Sequence, residues 1–126
     1  MKRIVGMCCV FTLVTTGFVI AADTHDSLVK ELLGTLKDAV GVLKTVKDEK
    51  TAKDAQPKVG KISDQMGDIK KRMDKLGKPT KEQEDELQKK YKGEMETTFK
   101  GFAEELTRVA KVPGGEDLIK QFQNAK

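Results

Sequence analysis

Residues 52–76, AKDAQPKVGKISDQMGDIKKRMDKL, decide how this chain folds. Ala52, Ala55, Val59, Ile62, Met66, Ile69, Met73 and Leu76 follow one another by alternating steps of three and four residues. That spacing places them all on one stripe of an α-helix, as the a and d positions of a heptad. The residues between them are mostly Lys, Asp, Gln and Gly, so the other faces are solvated. Pro57 interrupts the pattern, because its ring clashes with the carbonyl four residues back and it has no N–H to donate. Either the helix kinks there or its regular part starts near Gln56.

The same periodicity extends on both sides. Upstream, Val29, Leu32, Leu36, Ala39, Leu43 and Val46 repeat the heptad, and Leu28, Leu33 and Val40 widen its stripe. A widened stripe predicts a helix that touches two neighbours. Downstream, Thr80 and Gln83 match a capping box, and Glu82, Glu84, Asp85 and Glu86 load the positive end of the helix dipole. Leu87, Tyr91, Met95, Phe99, Phe102, Leu106 and Val109 form that helix's apolar row. Asp85–Lys89, Glu86–Lys90, Glu96–Lys100 and Glu104–Arg108 have the i,i+4 spacing of ion pairs on its surface.

Short links join the three stretches, at Asp48–Thr51 and Leu76–Thr80. Gly77 is suited to end a helix with positive φ, and Pro79 prevents its continuation. Links this short make successive helices antiparallel. The expected fold is all-α, an up-down-up antiparallel three-helix bundle with coiled-coil-like packing. Its helices are expected at about 25–49, 51–77 and 80–112, with a short helix at 116–124 after the break at Val112-Pro113-Gly114-Gly115. An up-down-up path brings that tail back to the first link, near Val46, Ala52 and Val59. A long hairpin that dimerises has the same periodicity.

The N-terminus reads as an export signal. Lys2 and Arg3 precede an uncharged run from Ile4 to Ile20, and Ala21 and Ala22 supply the small residues before Asp23. Residues 1–22 are therefore expected to be a cleaved signal peptide, with cleavage after Ala22 or Ala21, and residues 23–126 a single helical domain. The alternative is a signal anchor, since the 19 residues from Ile4 to Ala22 are long enough to span a bilayer. Thr12, Thr15, Thr16 and Gly17 dilute that run, however, and no basic cluster follows it. Cys8 and Cys9 stand too early in it for a lipidation site. The expected location is the periplasm or the extracellular space, with no retained transmembrane segment.

Those two cysteines are the only ones in the chain. A processed chain has no disulfide, thiolate ligand or cysteine nucleophile. Losing Lys2 and Arg3 leaves 22 basic against 20 acidic residues, a net charge of +2. So balanced a chain, with few aromatics to stack on bases, does not read as a nucleic-acid binder.

Candidate chemistry is sparse. His25 is the only histidine; a metal site would have to combine it with nearby carboxylates and the free amine, and a solvated terminal side chain is the plainer reading. Met66, Met73 and Met95 lie in the apolar rows, as core filler or as a pliable client-binding groove. The acid pairs Glu104-Glu105 and Asp85-Glu86 have no nucleophile or oxyanion donors beside them. Gly114-Gly115 follows no strand and precedes no GK[ST], so it is not a phosphate loop. No catalytic, cofactor-binding or metal-binding residue is expected, and no enzyme activity. The exception among the charges is the basic end of the second helix. Lys70, Lys71, Arg72, Lys75 and Lys78 form either a solvated face or a contact for an anionic partner.

Three stretches carry a resemblance: Asp48-Glu-Lys-Thr-Ala-Lys-Asp-Ala-Gln-Pro-Lys-Val59, then Met73-Asp-Lys-Leu-Gly-Lys-Pro-Thr80 with Tyr91-Lys-Gly-Glu-Met95, then Arg108-Val-Ala-Lys-Val-Pro113. Over nearly all of the mature part the chain resembles small exported helical proteins of planctomycete-type bacteria. The resemblance implies an exported location and a helical fold, and carries no activity with it. The functional expectation is a non-enzymatic exported bundle that works by protein–protein contact or as an envelope component. Its partner would be another envelope or exported protein or a second copy. A holdase-like module and an anionic-surface binder are the alternatives.

Overall fold

A computed structural model describes residues 22–124. Apart from Ala22, the expected leader lies outside the described residues. Four helices follow in order: α1 His25–Lys44, α2 Glu49–Leu76, α3 Lys81–Val109 and α4 Gly115–Gln123. The fold is all-α, three long helices arranged up-down-up with a short fourth.

Each long helix starts on a reciprocal capping box. Thr24 and Ser27 cap α1, Asp48 and Thr51 cap α2, and Thr80 and Gln83 cap α3. In each, a side-chain oxygen accepts the free N–H of the third helical residue, and that residue's side chain accepts the cap N–H in return. Asp48 requires extended backbone for this (φ −150°, ψ 178°), so α1 cannot run on to residue 49. It stops at Lys44. Helix α3 likewise stops at Val109 rather than 112, where Val112 N–H donates to Val109 O and Gly115 N–H to Val112 O in successive tight turns. Gly77 closes α2 with φ 75°, as its position in the sequence predicts.

Pro57 does not mark the start of α2, which runs through it from Glu49. The Pro57 ring and Lys53, whose carbonyl loses its usual donor, are both exposed. Water can therefore satisfy the orphaned oxygen.

Helix α1 is the centre of the bundle. It packs along both α2 and α3, whereas no Cα of α2 comes within 8 Å of a Cα of α3. The wide stripe on α1 explains this: Leu28, Leu33, Leu36, Ala39 and Leu43 are all buried, on two adjoining lines facing two neighbours. Helix α3 turns Tyr91, Thr98 and Val109 inward. Phe99 is not a core residue as its place in the heptad suggests. One residue on from Thr98, it is rotated about 100° around the helix and stands 44% exposed.

At the other end, α4 wedges between α2 and α3. Leu118 is fully buried among Leu43, Val46, Ala52, Ala55, Val59 and Val109, so the tail docks where the chain path predicts. Phe122 meets Phe102 edge to face with ring centroids 5.4 Å apart. Both glycines at the start of α4 are required. Gly114 adopts φ 79°, and a Cβ on Gly115 would stand 1.9 Å from Val109 O.

Candidate functional site

The polar chemistry of the molecule gathers at the opposite end, where the start of α1 meets the end of α2 and the start of α3. Arg72 is its centre. Its Nε donates to Asp23 Oδ2 at 2.9 Å and its Nη2 to Asp23 Oδ1 at 2.6 Å. Its Nη1 donates to Glu31 Oε1 at 3.0 Å, and Asp68 lies 3.6 Å from the same nitrogen. The planar fork of arginine matches a carboxylate on two nitrogens at once, which lysine cannot do. The hydrogen bonds from Arg72 hold the Asp23 carboxyl below its ordinary range, and Asp23 in turn raises Arg72.

This changes the reading of the basic end of α2. Arg72 is turned inward to three carboxylates. Lys70, Lys71, Lys75 and Lys78 remain exposed, and none of them forms an ion pair among the described residues. A basic face thus persists with four lysines and without its arginine.

His25 is not the solvated terminal side chain that its position suggests. Its Nε2 lies 2.9 Å from the carbonyl oxygen of Gly77. A carbonyl only accepts, so Nε2 carries the proton, and in the neutral ring the Nδ1 lone pair is left free. On either side of His25 lies a shallow cleft. One of about 240 Å³ is lined by Asp26, Gln83, Glu86, Leu87 and Lys90. The other, of about 400 Å³, runs over Val29, Met73, Asp74 and Pro79.

Among the described residues four ion pairs link α1, or Asp23 just before it, to another helix, and five lie within one helix. Lys90 donates to Asp26 Oδ1 at 2.7 Å rather than to Glu86, and lies 5.2 Å from the Tyr91 ring centre. That bond lowers Asp26 and raises Lys90. Lys37 pairs with Glu94 across α1 and α3. Arg108 meets Glu105, not Glu104, and sends both terminal nitrogens to backbone oxygens of Val46 and Leu43 at 2.7 Å. Sequence reading found the Thr80-x-x-Gln83 capping box and missed the other two, although Thr24-x-x-Ser27 and Asp48-x-x-Thr51 have the same spacing. The Asp23–Arg72 and Arg108–Val46 contacts have no such signal, since they join residues far apart in the chain.

Along the side between α2 and α3, closure is incomplete. Met66, Met73, Leu87 and Met95 are only partly buried, and Leu76 and Phe99 are exposed, at 37% and 44%. Among the described residues no set of three His, Cys, Asp or Glu side chains is placed to hold a metal, and no helix is long and apolar enough to cross a membrane. The fold and this site define an all-α bundle with one partly open side and a charged end. Comparison with family models, with characterised proteins and with solved structures finds no match to this chain.

Proposed function

We propose that this is an exported, non-enzymatic helical bundle that works by protein–protein contact, with the side between α2 and α3 as its docking face. The observation that carries the reading is the incomplete closure of that side. Seam residues at heptad positions, Met66, Met73, Met95 and Leu76, stay partly or largely exposed although the pattern gives them a core role. The occupant is an amphipathic helix of another exported or envelope protein. Helix α4 supports this choice. It already fills the far end of the space between α2 and α3 with Leu118 and Phe122, so what fits there is a helix with one apolar face. Methionine walls adapt to such a partner.

The leader sequence supports export, and among the described residues no nucleophile, base and oxyanion donors come together, which supports a non-enzymatic role. The resemblance to planctomycete-type exported helical proteins agrees with export and with the helical fold. The four exposed lysines at the end of α2 support, as a second reading, contact with an anionic surface. Site-specific photocrosslinking in the exporting cell tests the main reading. A crosslinker at Phe99 should capture one discrete protein, whereas one at Asp64 on the outer face of α2 should not. Equal capture at both positions refutes the docking face. Capture of many unrelated clients supports a holdase. Loss of envelope association on Lys71→Glu with Lys75→Glu, at unchanged protein crosslinking, supports the anionic-surface reading.

A further inference from the structure

Cleavage between Ala22 and Asp23 would make His25 the third residue of the processed chain. A third-position imidazole belongs to a specific ligand set. The α-amine of residue one, the backbone nitrogens of residues two and three, and Nδ1 of the imidazole can surround one ion in a plane. They close three fused chelate rings. Planar nitrogen sets are the preference of copper(II) and then nickel(II), whereas zinc favours a tetrahedron. None of these ligands except His25 is a side chain, so no cluster of metal-binding side chains is needed. We propose that the processed chain carries an amino-terminal copper(II) site formed by the Asp23 α-amine, the Thr24 and His25 backbone nitrogens and His25 Nδ1. This inference rests on the export reading given above.

The structure contributes the state of the ring. Because Nε2–H is donated to Gly77 O, the nitrogen left with a lone pair is Nδ1, the one this chelate uses. A ligating imidazole that donates its other N–H to a backbone carbonyl is the usual support of a metal-bound histidine. The His25 N–H is the first of α1 and has no acceptor within the helix. The Thr24 N–H is held only by Ser27 Oγ, at 3.0 Å and exposed.

The structure also shows what must move. Thr24 has ψ 158°, which sets its own nitrogen and that of His25 on opposite sides of its Cα–C bond. Chelation needs them on the same side. Rotation there can leave His25 and the helix in place, but it gives up the Thr24–Ser27 cap and carries Asp23 away from Arg72. Copper binding therefore competes with the Asp23–Arg72 pair. It also releases the protons of the ammonium group and of both amides, so affinity falls as the solution is acidified.

The test uses the full chain, exported and processed by a bacterial host and purified without a metal-affinity tag. Intact mass reads its N-terminus, and the protein is then titrated with copper(II) alone. The expected result is a chain beginning at Asp23 that takes up one equivalent and shows the violet absorption of planar four-nitrogen copper. Thr24→Pro keeps the amine and the imidazole but has no amide proton to lose, so the violet band should disappear. Acetylating the amine of the unaltered folded protein should do the same, independently of any effect of proline on folding. A chain beginning at Asp23 that shows no such band, or a band that survives both changes, overturns the site. A chain beginning at Ala22 also overturns it while leaving export intact. A chain that retains residues 1–22 removes the export reading and the site with it.

Discussion

Arg108, in the last turn of α3, ends α1: its two terminal nitrogens donate to Val46 O and Leu43 O at 2.7 Å each. Carbonyls at the end of a helix have no donors within it. Here a side chain from another helix supplies them, and Glu105 at 2.8 Å holds its guanidinium in line. The same contact locks α3 parallel to α1 and closes the end where α4 docks. Arg108→Met keeps the aliphatic stem and removes the donors. It should lower stability by about 1–2 kcal/mol, toward the low end because the side chain is partly exposed. Thermal unfolding reads this as a fall of several degrees, and Glu105→Gln should cost less.

Gly115→Ala should detach α4. Its methyl group would sit 1.9 Å from the Val109 carbonyl, and backbone cannot yield as a side-chain tip can. A cost of about 1–3 kcal/mol is expected for this overpacking. Leu118→Ala, which empties a fully buried position, should cost about 2–5 kcal/mol. Amide exchange distinguishes local from global loss. In Gly115→Ala, residues 115–123 should exchange early while the middle of α1 stays protected.

Pro57→Ala should stabilise the protein. The helix passes through an exposed proline that leaves Lys53 O without its donor. Proline in a helix interior is about 3 kcal/mol less favourable than alanine, and its stiffening of the unfolded chain returns roughly 1 kcal/mol of that. A net gain of about 1–2 kcal/mol is expected from denaturant melts. An unchanged midpoint would mean that α2 bends at Pro57 in a way the bundle needs.

The α2 cap should be sensitive to acid. The Thr51 N–H and the Thr51 hydroxyl hold Asp48 below its ordinary range. Glu49 is likewise lowered by its hydrogen bond with Lys53. A carboxyl lowered in the folded state stabilises fully above its unfolded value, about pH 4, and that contribution disappears as pH falls through the folded value. Asp48→Asn caps the helix but does not titrate. The melting-temperature advantage of the unaltered chain over this variant should therefore be present at neutral pH and vanish in acid. A difference that is constant with pH would show that the Asp48 charge contributes nothing.

Phe99→Ser should leave the fold nearly intact, since 44% of this side chain is already in solvent. A loss of less than about 1 kcal/mol is expected, against several for a fully buried position. Leu43→Ala supplies that contrast in the same melts.

How much of this was legible in the chain follows from the range of each interaction. Heptads at residues 52–76 and on either side specify three helices, because periodicity is a property of neighbouring residues. Thr80 with Gln83, and Gly77, are likewise local signals that fixed one start and one stop. The extra apolar residues Leu28, Leu33 and Val40 correctly announced that α1 has two neighbours. The return of Leu118 to Val46, Ala52 and Val59 followed from link lengths alone. Composition is likewise read from the sequence alone: both cysteines, Cys8 and Cys9, stand in its first 22 residues.

Other features depend on which faces meet, and a heptad does not state that. It marked Phe99 as core, but α3 buries Tyr91 and Thr98 and leaves Phe99 exposed. It offered Arg72 to solvent, yet the antiparallel path of α2 carries Arg72 to Asp23 and Glu31, more than forty residues away in the chain. It left His25 without a partner until Gly77 arrived at the same end. Local sequence determines the helices because their hydrogen bonds are local. The candidate sites required tertiary structure, because helices distant in the chain bring their polar groups together only at the end they share.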